Sequence, residues 1–275
     1  MASASVIVST YNRLPLFRKA LRGYLRQSCC DFKLIIADDG SRSDVGDWIQ
    51  QFSAEAETVG IEVKHCWHED HGFQKTIIHN NAVRQSGDTP LLVFADGDCI
   101  PPSHFVEKHL QVHEASSFHV GGVYRLSQDV SEQISESDID AGNYEKLVTE
   151  EHRNDSKRRW RKSYWGTLLR LKNRPKMFGG NFGMDRQLYE DLNGYDEKFT
   201  GWGLEDSDLR DRAMRLRPRV IVKNLHLSNN VFHLWHPVDN LIKRRHLSTW
   251  GYYQQRRPVR CEAGLDTQPQ AKESG

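Results

Sequence analysis

The chain has 275 residues, of which 37% are hydrophobic and 27% are charged, and its formal net charge is +1. This length is sufficient for a large hydrophobic core, and the nearly neutral charge does not indicate a nucleic-acid partner. The sequence contains no apolar run near the roughly 18 residues of a membrane span. Its first residues lack the basic and apolar regions of a signal peptide. These features predict a soluble globular protein.

Five cysteines and 13 histidines bear on compartment and metal binding. The cysteines are odd in number and follow neither CxxC spacing nor a disulfide framework, so a reducing cytoplasm fits best. Most of the histidines are expected to be surface or core residues. Only those near an acidic motif merit a metal hypothesis.

Short apolar strands alternate with helices in the first part of the chain. Ser5–Thr10 is predicted to be a buried strand, and Pro15 can occupy the first turn of a helix that extends to about Gln27. Further strands are predicted at 32–37, 61–66, 90–95 and 118–126, with helices at 43–56, 76–86 and 103–115. The alternation predicts an α/β fold with a parallel, doubly wound sheet that binds its ligand at the carboxyl ends of the strands.

The second part of the chain has a different composition. The acidic, serine-rich segment 127–144 is predicted to be a loop, and 177–184, with three glycines, is predicted to be strand-like with a close backbone approach to a ligand or chain. A helix at 185–192 and strands at 220–225 and 230–234 follow. A polar tail follows His246, and we expect disorder beyond about Glu262.

Residues 153–176 are strongly basic and interleaved with Trp160, Tyr164 and Trp165. Such a segment can be a solvated helix face whose long side chains cover apolar surface. It can equally be a patch for an anionic acceptor or for lipid headgroups. The sequence leaves both interpretations open.

Residues 201–206 (Gly-Trp-Gly-Leu-Glu-Asp) precede and begin a predicted helix. Gly201 and Gly203 permit backbone angles that other residues resist, so this turn can hold Trp202 and the acids close to a ligand. Acids in a first helical turn are also stabilising by themselves. Capping does not account for a tryptophan between two glycines, so we interpret the segment as functional.

Asp96-Gly97-Asp98 directly follows an apolar strand. Two carboxylates one residue apart in a turn can hold a divalent ion, although such turns are common without one. His233 and His236 follow a later strand, and imidazole suits Mn²⁺ better than Mg²⁺ or Ca²⁺. We predict a mixed metal site of Asp98 with His233 or His236, and we expect Asp96 to contact the sugar or ribose.

Other polar residues are predicted at the same edge of the sheet. Asp39 follows the second strand, where a carboxylate can accept hydrogen bonds from a ribose or a base. Thr10, Tyr11 and Arg13 follow the first strand, and Lys75 is placed to meet a phosphate. For any single one of these residues, an ordinary role in a turn is a better explanation than ligand binding. Taken together, however, all of them lie at the same predicted edge of the sheet.

Several of these segments resemble glycosyltransferase family 2. The similar signatures are 6–12 (Val-Ile-Val-Ser-Thr-Tyr-Asn), 36–41 (Ile-Ala-Asp-Asp-Gly-Ser) and 94–98 (Phe-Ala-Asp-Gly-Asp). Residues 179–184 (Gly-Gly-Asn-Phe-Gly-Met) and 201–206 resemble the galactosyltransferase-type region of animal β-1,4-galactosyltransferases, bacterial chondroitin polymerases and polypeptide N-acetylgalactosaminyltransferases. The resemblance spans about residues 4 to 240.

This resemblance implies a GT-A fold and an inverting transfer from a nucleotide sugar, usually a UDP-sugar, with Mn²⁺ or Mg²⁺. It implies a nucleotide-sugar-binding half at 1–125, an acceptor-binding and catalytic half of the same domain at 126–260, and a flexible tail at 261–275. Galactose or N-acetylgalactosamine is the favoured sugar. The expected acceptor is a surface glycan or a lipid-linked saccharide, with peripheral contact to the inner face of the membrane.

On the donor side, the resemblance implies that Asp39 binds the uracil, with Thr10 and Tyr11 beside it. Asp96 and Asp98 would form the Asp-x-Asp pair. Asp98 would bind the metal directly, and one of the two histidines named above would complete the metal site.

On the acceptor side, the resemblance implies that Asp206 is the catalytic base and that Glu205 binds the acceptor sugar. Trp202, followed by Gly203, would pack on the donor or the acceptor. Leu204 departs from the pattern, because many relatives carry a glycine there, so a different sugar preference is expected.

Two other functions compete with this interpretation. A nucleotidyltransferase would be expected to have a glycine- and Arg/Lys-rich loop after the first strand, and residues 9–13 contain no glycine. A non-catalytic saccharide-binding protein on the same fold would be expected to lack Asp206 or Asp98, and both are present.

Overall fold

The computed structural model describes residues 2–237 and 244–267. Its strands are β1 (Ala4–Thr10), β2 (Phe32–Asp38), β3 (Glu62–Trp67), β4 (Leu91–Asp96), β5 (Cys99–Ile100), β6 (Ser117–Val120), β7 (Gly122–Arg125), β8 (Phe182–Asp185), β9 (Ile221–Asn224) and β10 (Asn230–His233). Its helices are α1 (Leu14–Arg22), α2 (Ser43–Thr58), α3 (Lys75–Gln85), α4 (Phe105–Val112), α5 (Gln128–Gln133), α6 (Glu136–Asp140), α7 (Glu150–Leu168), α8 (Arg186–Asp191), α9 (Glu205–Ala213) and α10 (Trp250–Gln254). Single 3₁₀ turns lie at Asn143–Leu147 and Arg244–His246.

A seven-stranded, mostly parallel sheet runs through the centre of the molecule in the order β3-β2-β1-β4-β8-β6-β9. The first four strands of that order are parallel to one another, and β8 is antiparallel to both of its neighbours. A second sheet joins β5, β10 and β7. The predicted α/β class and parallel central sheet are confirmed. Carboxyl ends of parallel strands meet at one edge, so β1, β2 and β4 deliver their following loops to the same place.

The central strands are apolar on both faces because helices cover both faces. Val6 and Val8 of β1 pack with Phe17 of α1 in one buried cluster, while Ile7 points to the other face and joins a cluster that includes Ile78 of α3. This alternation explains why β1 is a nearly continuous run of hydrophobic residues.

Two elements of the first half differ from prediction. Helix α1 ends at Arg22 and not near Gln27; the chain turns at Gly23, where a Cβ would lie 2.7 Å from Cδ of Pro101. The strand predicted at 118–126 is two strands in different sheets, β6 and β7. They separate at Gly121, because the side chain of Asn181 occupies the space that a Cβ would need.

The segment 127–144, predicted to be a loop, contains α5, α6 and part of a 3₁₀ turn. Its serines explain the difference, because they cap helices instead of extending a loop. The side chain of Ser127 accepts a hydrogen bond from the backbone of Val130, and Ser135 forms a capping box with Asp138. Residues 177–184 are strand only from Phe182 onward, and 179–181 form a turn.

The flexible tail expected at 261–275 is wrong for residues 261–267. Cys261 is buried, and its backbone N–H donates to the carbonyl of Leu192 at 3.2 Å. The guanidinium of Arg84 donates to the carbonyls of Gly264 and Leu265, both at 2.8 Å. The polar composition of the segment gave no indication of these backbone contacts. Residues 268–275 lie outside the described residues.

None of the helices in the described ranges is long and apolar enough to cross a membrane.

Candidate active site

The candidate site begins where β1, β2 and β4 end. The backbone N–H of Asp39, after β2, donates to the carbonyl of Thr10 at 2.9 Å. The N–H of Gly97, after β4, donates to the carbonyl of Ser9 at 2.8 Å. These two bonds attach the loops after β2 and β4 to the end of β1, so polar side chains of three strands converge.

Asp98, His233 and His236 form a cluster whose potential ligand atoms all lie within 4.8 Å of one another. Nε2 of His236 is 3.0 Å from one carboxylate oxygen of Asp98, and Nε2 of His233 is 3.9 Å from the other. Strand β10 pairs with β5, with His233 opposite Cys99, and this pairing carries both histidines to Asp98.

The electrostatics of this cluster favour an ionised carboxylate. Burial opposes ionisation of Asp98, but the hydrogen bond from His236 and the charges of both histidines lower its pKa to about 2. The hydrogen bond to Asp98 raises the pKa of His236, whereas burial lowers the pKa of His233. A carboxylate with two imidazoles is a donor set that suits a divalent transition ion.

Asp96 and Lys75 form a second pair at the same edge. Nζ of Lys75 lies 2.7 Å from Oδ1 of Asp96, which also accepts a hydrogen bond from Ser9 at 3.1 Å. Burial opposes the charge on Lys75, but Asp96, Asp206 and Glu205 together raise its pKa. One buried cation therefore lies among the acids of both halves of the chain.

Asp39 is held by β3 and by the loop before α3. Its Oδ1 is 2.7 Å from Nε2 of His68, and its Oδ2 accepts a hydrogen bond from the N–H of Gln74 at 2.9 Å. Asp39 is buried, in contrast to Tyr11, whose ring is 49% exposed and whose hydroxyl donates to Asp70. The Asp39 carboxylate is thus fixed at the edge of the sheet.

A glycine pair lets the acids of α9 approach the end of β4. A Cβ at Gly179 would overlap Oδ2 of Asp206, and a Cβ at Gly180 would lie 2.9 Å from Oδ2 of Asp96. The hydroxyl of Tyr195 donates to Oδ1 of Asp206 at 2.7 Å. The predicted close approach at this glycine-rich segment is therefore an approach to the acids themselves.

Glu205 and Asp206 are neighbours in different surroundings. Glu205 is buried, and burial, followed by the charge of Asp206, raises its pKa to about 7. Its Oε2 has no hydrogen-bond partner among the described residues. Asp206 is only partly buried. One carboxyl is thus poised to be neutral near pH 7 while its neighbour is held by a tyrosine.

The turn before α9 needs the backbone angles that its glycines provide. Gly201 and Gly203 have φ of 100° and 98°, and Trp202 between them is 59% exposed. Leu204 has φ of 78°, in the left-handed region that glycine adopts without strain. A residue with a side chain is therefore strained at position 204, and a glycine there would adopt the same backbone angles without strain.

Comparison with known proteins identifies the family. The model of glycosyl transferase family 2 matches residues 5–192, more than half of the chain. The chain belongs to glycosyl transferase family 2. A second model, the N-terminal domain of galactosyltransferase, matches residues 169–236 of this transferase.

Two curated relatives are bacterial sugar transferases. Validoxylamine A glucosyltransferase of Streptomyces hygroscopicus is 26% identical over 74% of this chain and 50% of its own length. Chondroitin synthase of Escherichia coli is 23% identical over 77% of this chain and 32% of its own length. The chain thus spans half or less of the length of these relatives.

Solved structures show the same fold. A mannosyltransferase of Pyrobaculum calidifontis, in complex with GDP-Man and Mn²⁺, has a TM-score of 0.55 at 13% identity, over 86% of this chain and 58% of its own. GalNAc-T7 with UDP, GalNAc and Mn²⁺ has a TM-score of 0.54 at 13% identity, over 86% of this chain and 43% of its own. The expected GT-A fold of the transferase is confirmed.

The structure brings most of the predicted site residues to one edge of the sheet. The convergent residues are Thr10, Asp39, Lys75, Asp96, Gly97, Asp98, Glu205, Asp206, His233 and His236. Tyr11, Arg13 and Trp202 are exposed. Arg13 precedes α1 with φ of 48° and its charge acts on His236, so it borders the cluster of Asp98 and the two histidines.

Three contact residues were missed by sequence reasoning. His68 follows β3, beside the strand that carries Asp39, so the strand-end rule could have found it. Tyr195 and Gly179 act on Asp206 from 11 and 27 positions away in the chain, and no local spacing indicates either contact.

Proposed function

We propose that this protein is an inverting, metal-dependent glycosyltransferase that moves a sugar from a UDP-sugar to a hydroxyl of a glycan acceptor. One observation carries the proposal: the Asp98 cluster, Lys75 and the paired acids of α9 converge where strands β1, β2 and β4 end. Family membership supports glycosyl transfer in general. The donor, the metal and the stereochemistry are inferred from the chemistry of these residues.

We infer that Asp98, with His233 and His236, holds Mn²⁺ or Mg²⁺. The fit rests on the donor set: a partly buried carboxylate that is ionised at neutral pH, and two imidazoles within reach of it. This set favours Mn²⁺. A bound ion would supply Lewis-acid stabilisation of the leaving diphosphate. The mannosyltransferase and GalNAc-T7 structures are complexes with Mn²⁺, which supports this assignment.

We assign the binding of uridine to Asp39, Thr10 and Tyr11. Arg13 lies at the border of that proposed site. Asp39 is fixed by His68 and by a backbone N–H, so its carboxylate is oriented before a base arrives. Asp96 would contact the ribose or the sugar, and Lys75 adds positive charge near the diphosphate.

Asp206 is the proposed general base. Inversion requires a carboxylate that takes the proton of the acceptor hydroxyl on the face opposite the leaving UDP. The hydroxyl oxygen then bonds to the anomeric carbon of the donor sugar, while the bond between that carbon and the diphosphate oxygen breaks and UDP leaves. The transition state is oxocarbenium-like. Tyr195 orients Oδ1 of Asp206, and Gly179 leaves room beside Oδ2.

Glu205 is proposed to bind the acceptor sugar, with Trp202 and Gly203 beside it. Its Oε2 lacks a partner among the described residues, and a buried polar atom of this kind calls for a hydrogen bond from a ligand. Trp202 is exposed beside it and offers a flat apolar face on which a sugar ring can pack.

Galactose or N-acetylgalactosamine is the donor sugar that we favour, because a galactosyltransferase model matches residues 169–236. Because one of the relatives is a glucosyltransferase, UDP-glucose should also be tested as a donor. We propose a surface polysaccharide or lipopolysaccharide precursor as acceptor, with peripheral contact to the inner face of the membrane. The five cysteines are free, which suits the reducing cytoplasm.

Calorimetric titration with UDP, with and without Mn²⁺, tests the donor site. We expect wild-type protein to bind UDP tightly only with Mn²⁺. Asp98→Asn should bind UDP weakly both with and without Mn²⁺, because it lacks the central carboxylate of the proposed metal site. Asp47→Asn, at an exposed position of α2, is the matched control and should bind as wild type does. Equal UDP binding by Asp98→Asn and wild type in Mn²⁺ would contradict the assigned metal site.

A further inference from the structure

A cavity of about 630 Å³ lies outside the candidate active site, between the chain after α7, the end of α9 and the chain after α10. Eight of its 17 lining residues are cationic, and only Asp211 is acidic. Asp206 and Met214, which lines the cavity, are eight residues apart along α9 and the turn that ends it, a rise of about 12 Å. The cavity is thus separate from the proposed base but close to it.

The positive charge of the cavity is poorly compensated. Arg257 pairs with Asp208, and Asp211 accepts hydrogen bonds from Arg210 and from Tyr253. In the described parts of the chain, the other seven cations of the cavity pair with no carboxylate. Arg217 donates to backbone carbonyls only. Such a concentration of unpaired guanidinium groups favours phosphate binding.

Unpaired cations lie at two edges of the cavity. Lys172 belongs to the chain after α7, and Arg219 belongs to the chain before β9; both are exposed. At nearby Lys176, burial lowers the pKa first, and the charges of Arg159 and Arg174 lower it further. The surroundings of the cavity are therefore positive even before a ligand arrives.

An apolar surface adjoins these cations. Tyr164, Trp165, Leu168, Leu169 and Leu171 are 45% to 63% exposed. Leu168 and Leu171 also line the cavity itself. Exposed leucines beside a cationic cavity match a ligand with a phosphate attached to hydrocarbon, because each part then meets its complement.

We propose that this cavity binds the phosphate or diphosphate group of the acceptor, and that the apolar side chains beside it contact the lipid to which that group is attached. This inference rests on the proposed transfer, since it names the class of acceptor for the same site. A saccharide bound through its phosphate in the cavity would extend along α9 towards Asp206.

Titration with inorganic pyrophosphate, without divalent metal, tests the cavity. We expect the double variant Lys172→Glu/Arg219→Glu to bind pyrophosphate at least about tenfold more weakly than wild type, because two charge-assisted contacts become repulsive. The matched control, Lys157→Glu/Arg161→Glu, reverses two exposed cations of α7 outside the cavity and should bind as wild type does. Circular dichroism melting curves check that both variants fold.

Two results would overturn the cavity as a phosphate site: no pyrophosphate binding by wild type, or equal weakening in both double variants. The second would indicate a diffuse basic surface. This titration uses neither donor nor metal, whereas UDP–Mn²⁺ calorimetry reports on the donor site, so failure of one proposal is distinguishable from failure of the other.

Vesicle sedimentation separates a lipid source of phosphate from a soluble one. We expect wild type to bind vesicles with phosphatidylglycerol and not vesicles of phosphatidylcholine alone. Trp165→Ser/Leu169→Ser should reduce that binding and leave pyrophosphate affinity unchanged, because both side chains are exposed and neither lines the cavity. Pyrophosphate binding without vesicle binding would overturn the lipid part and assign the cavity to a soluble phosphorylated saccharide.

Discussion

Asp206 and Glu205 show how neighbouring carboxyls acquire different properties from their surroundings. Tyr195 holds Asp206 at a partly open position, whereas Glu205 is enclosed and its pKa is raised to about 7. The exposed position suits a base that meets an acceptor hydroxyl, and the enclosed position suits a group that binds.

Replacing Asp206 tests its proposed role as base. Asp206→Asn keeps the shape of the side chain and its neighbours but removes the proton acceptor, so turnover should fall by about 10²–10⁴-fold. UDP binding measured by calorimetry should stay as in wild type. Asp47→Asn serves again as the exposed control. If Asp206→Asn retained nearly normal turnover, another residue would have to be the base.

The pH dependence of stability tests Glu205. Its pKa rises from an ordinary 4.5 to about 7 in the folded protein. The stability linked to this shift is therefore fully present below about pH 4.5 and is lost as the pH rises through 7, where a buried charge must form. Glu205→Gln removes that charge, so it should stabilise the protein at pH 8 by about 2–3 kcal/mol and much less at pH 4.5.

Denaturant unfolding at the two pH values measures this difference. Glu57→Gln, at an exposed position of α2, should change stability little at either pH. Destabilisation of Glu205→Gln at pH 8 would mean that the ionised carboxylate is favourable in the fold, and the proposed neutral form would be wrong. Acceptor transfer by the variant should be impaired, because a binding carboxyl has been replaced.

At the scale of residues, the sequence predicted which side chains lie at the edge of the sheet wherever that position follows from the end of a strand. Asp98 and Lys75 were expected at the site because carboxyl ends of parallel strands converge. The prediction paired Asp98 with His233 or His236, whereas the structure places both histidines beside Asp98. Metal binding by this cluster stays a prediction. Tyr195 and Gly179 were missed because their contacts with Asp206 depend on how α9 packs, and sequence spacing contains no record of that packing.

The turn at 179–181 is the element that joins the donor and acceptor parts of the site. Gly179 lies against Asp206, Gly180 lies against Asp96, and Asn181 donates to the carbonyls of Gly122 and Asn229. Asn181 thereby ties the turn, which leads into β8 of the central sheet, to β7 and to the residue before β10 in the second sheet. The turn thus sets how close the two acids stand.

A methyl group at Gly179 tests this function of the turn. Gly179→Ala would press against Oδ2 of Asp206 and displace it, and a shift of about 1 Å at a reacting group can cost about 10²-fold in turnover. Gly251→Ala in α10 is the matched control, because among the described residues no atom outside its own helix and chain neighbours lies within 4 Å of the new Cβ. Normal turnover of Gly179→Ala would show that the glycine is not required for the position of Asp206.

At the scale of elements, sequence patterns predicted β1 to β4 and the intervening helices. Strands β1, β2 and β4 are almost fully buried, whereas β3 buries only Cys66. The patterns failed at 127–144, where α5 and α6 are short, polar and defined by their serine caps. They also failed at Gly121, since the break between β6 and β7 depends on the distant side chain of Asn181.

The whole molecule distributes its charge unevenly despite a net charge of +1. Acids gather at the carboxyl edge of the sheet, with Lys75 buried among them, and eight cations line the cavity at the other end of α9. A negative site needs a cation to receive a diphosphate, which agrees with metal dependence. The positive cavity complements an anionic acceptor.

Release of UDP from UDP-sugars is the most direct test of the account as a whole. Wild-type protein is incubated without acceptor with UDP-galactose, UDP-N-acetylgalactosamine or UDP-glucose, in Mn²⁺ or in excess chelator. We predict slow UDP release from at least one donor, stopped by the chelator and absent in Asp98→Asn, because the ion stabilises the leaving diphosphate. Release that is unaffected by chelator and by Asp98→Asn, or no release from any of the three donors, would contradict a metal-dependent UDP-sugar transferase.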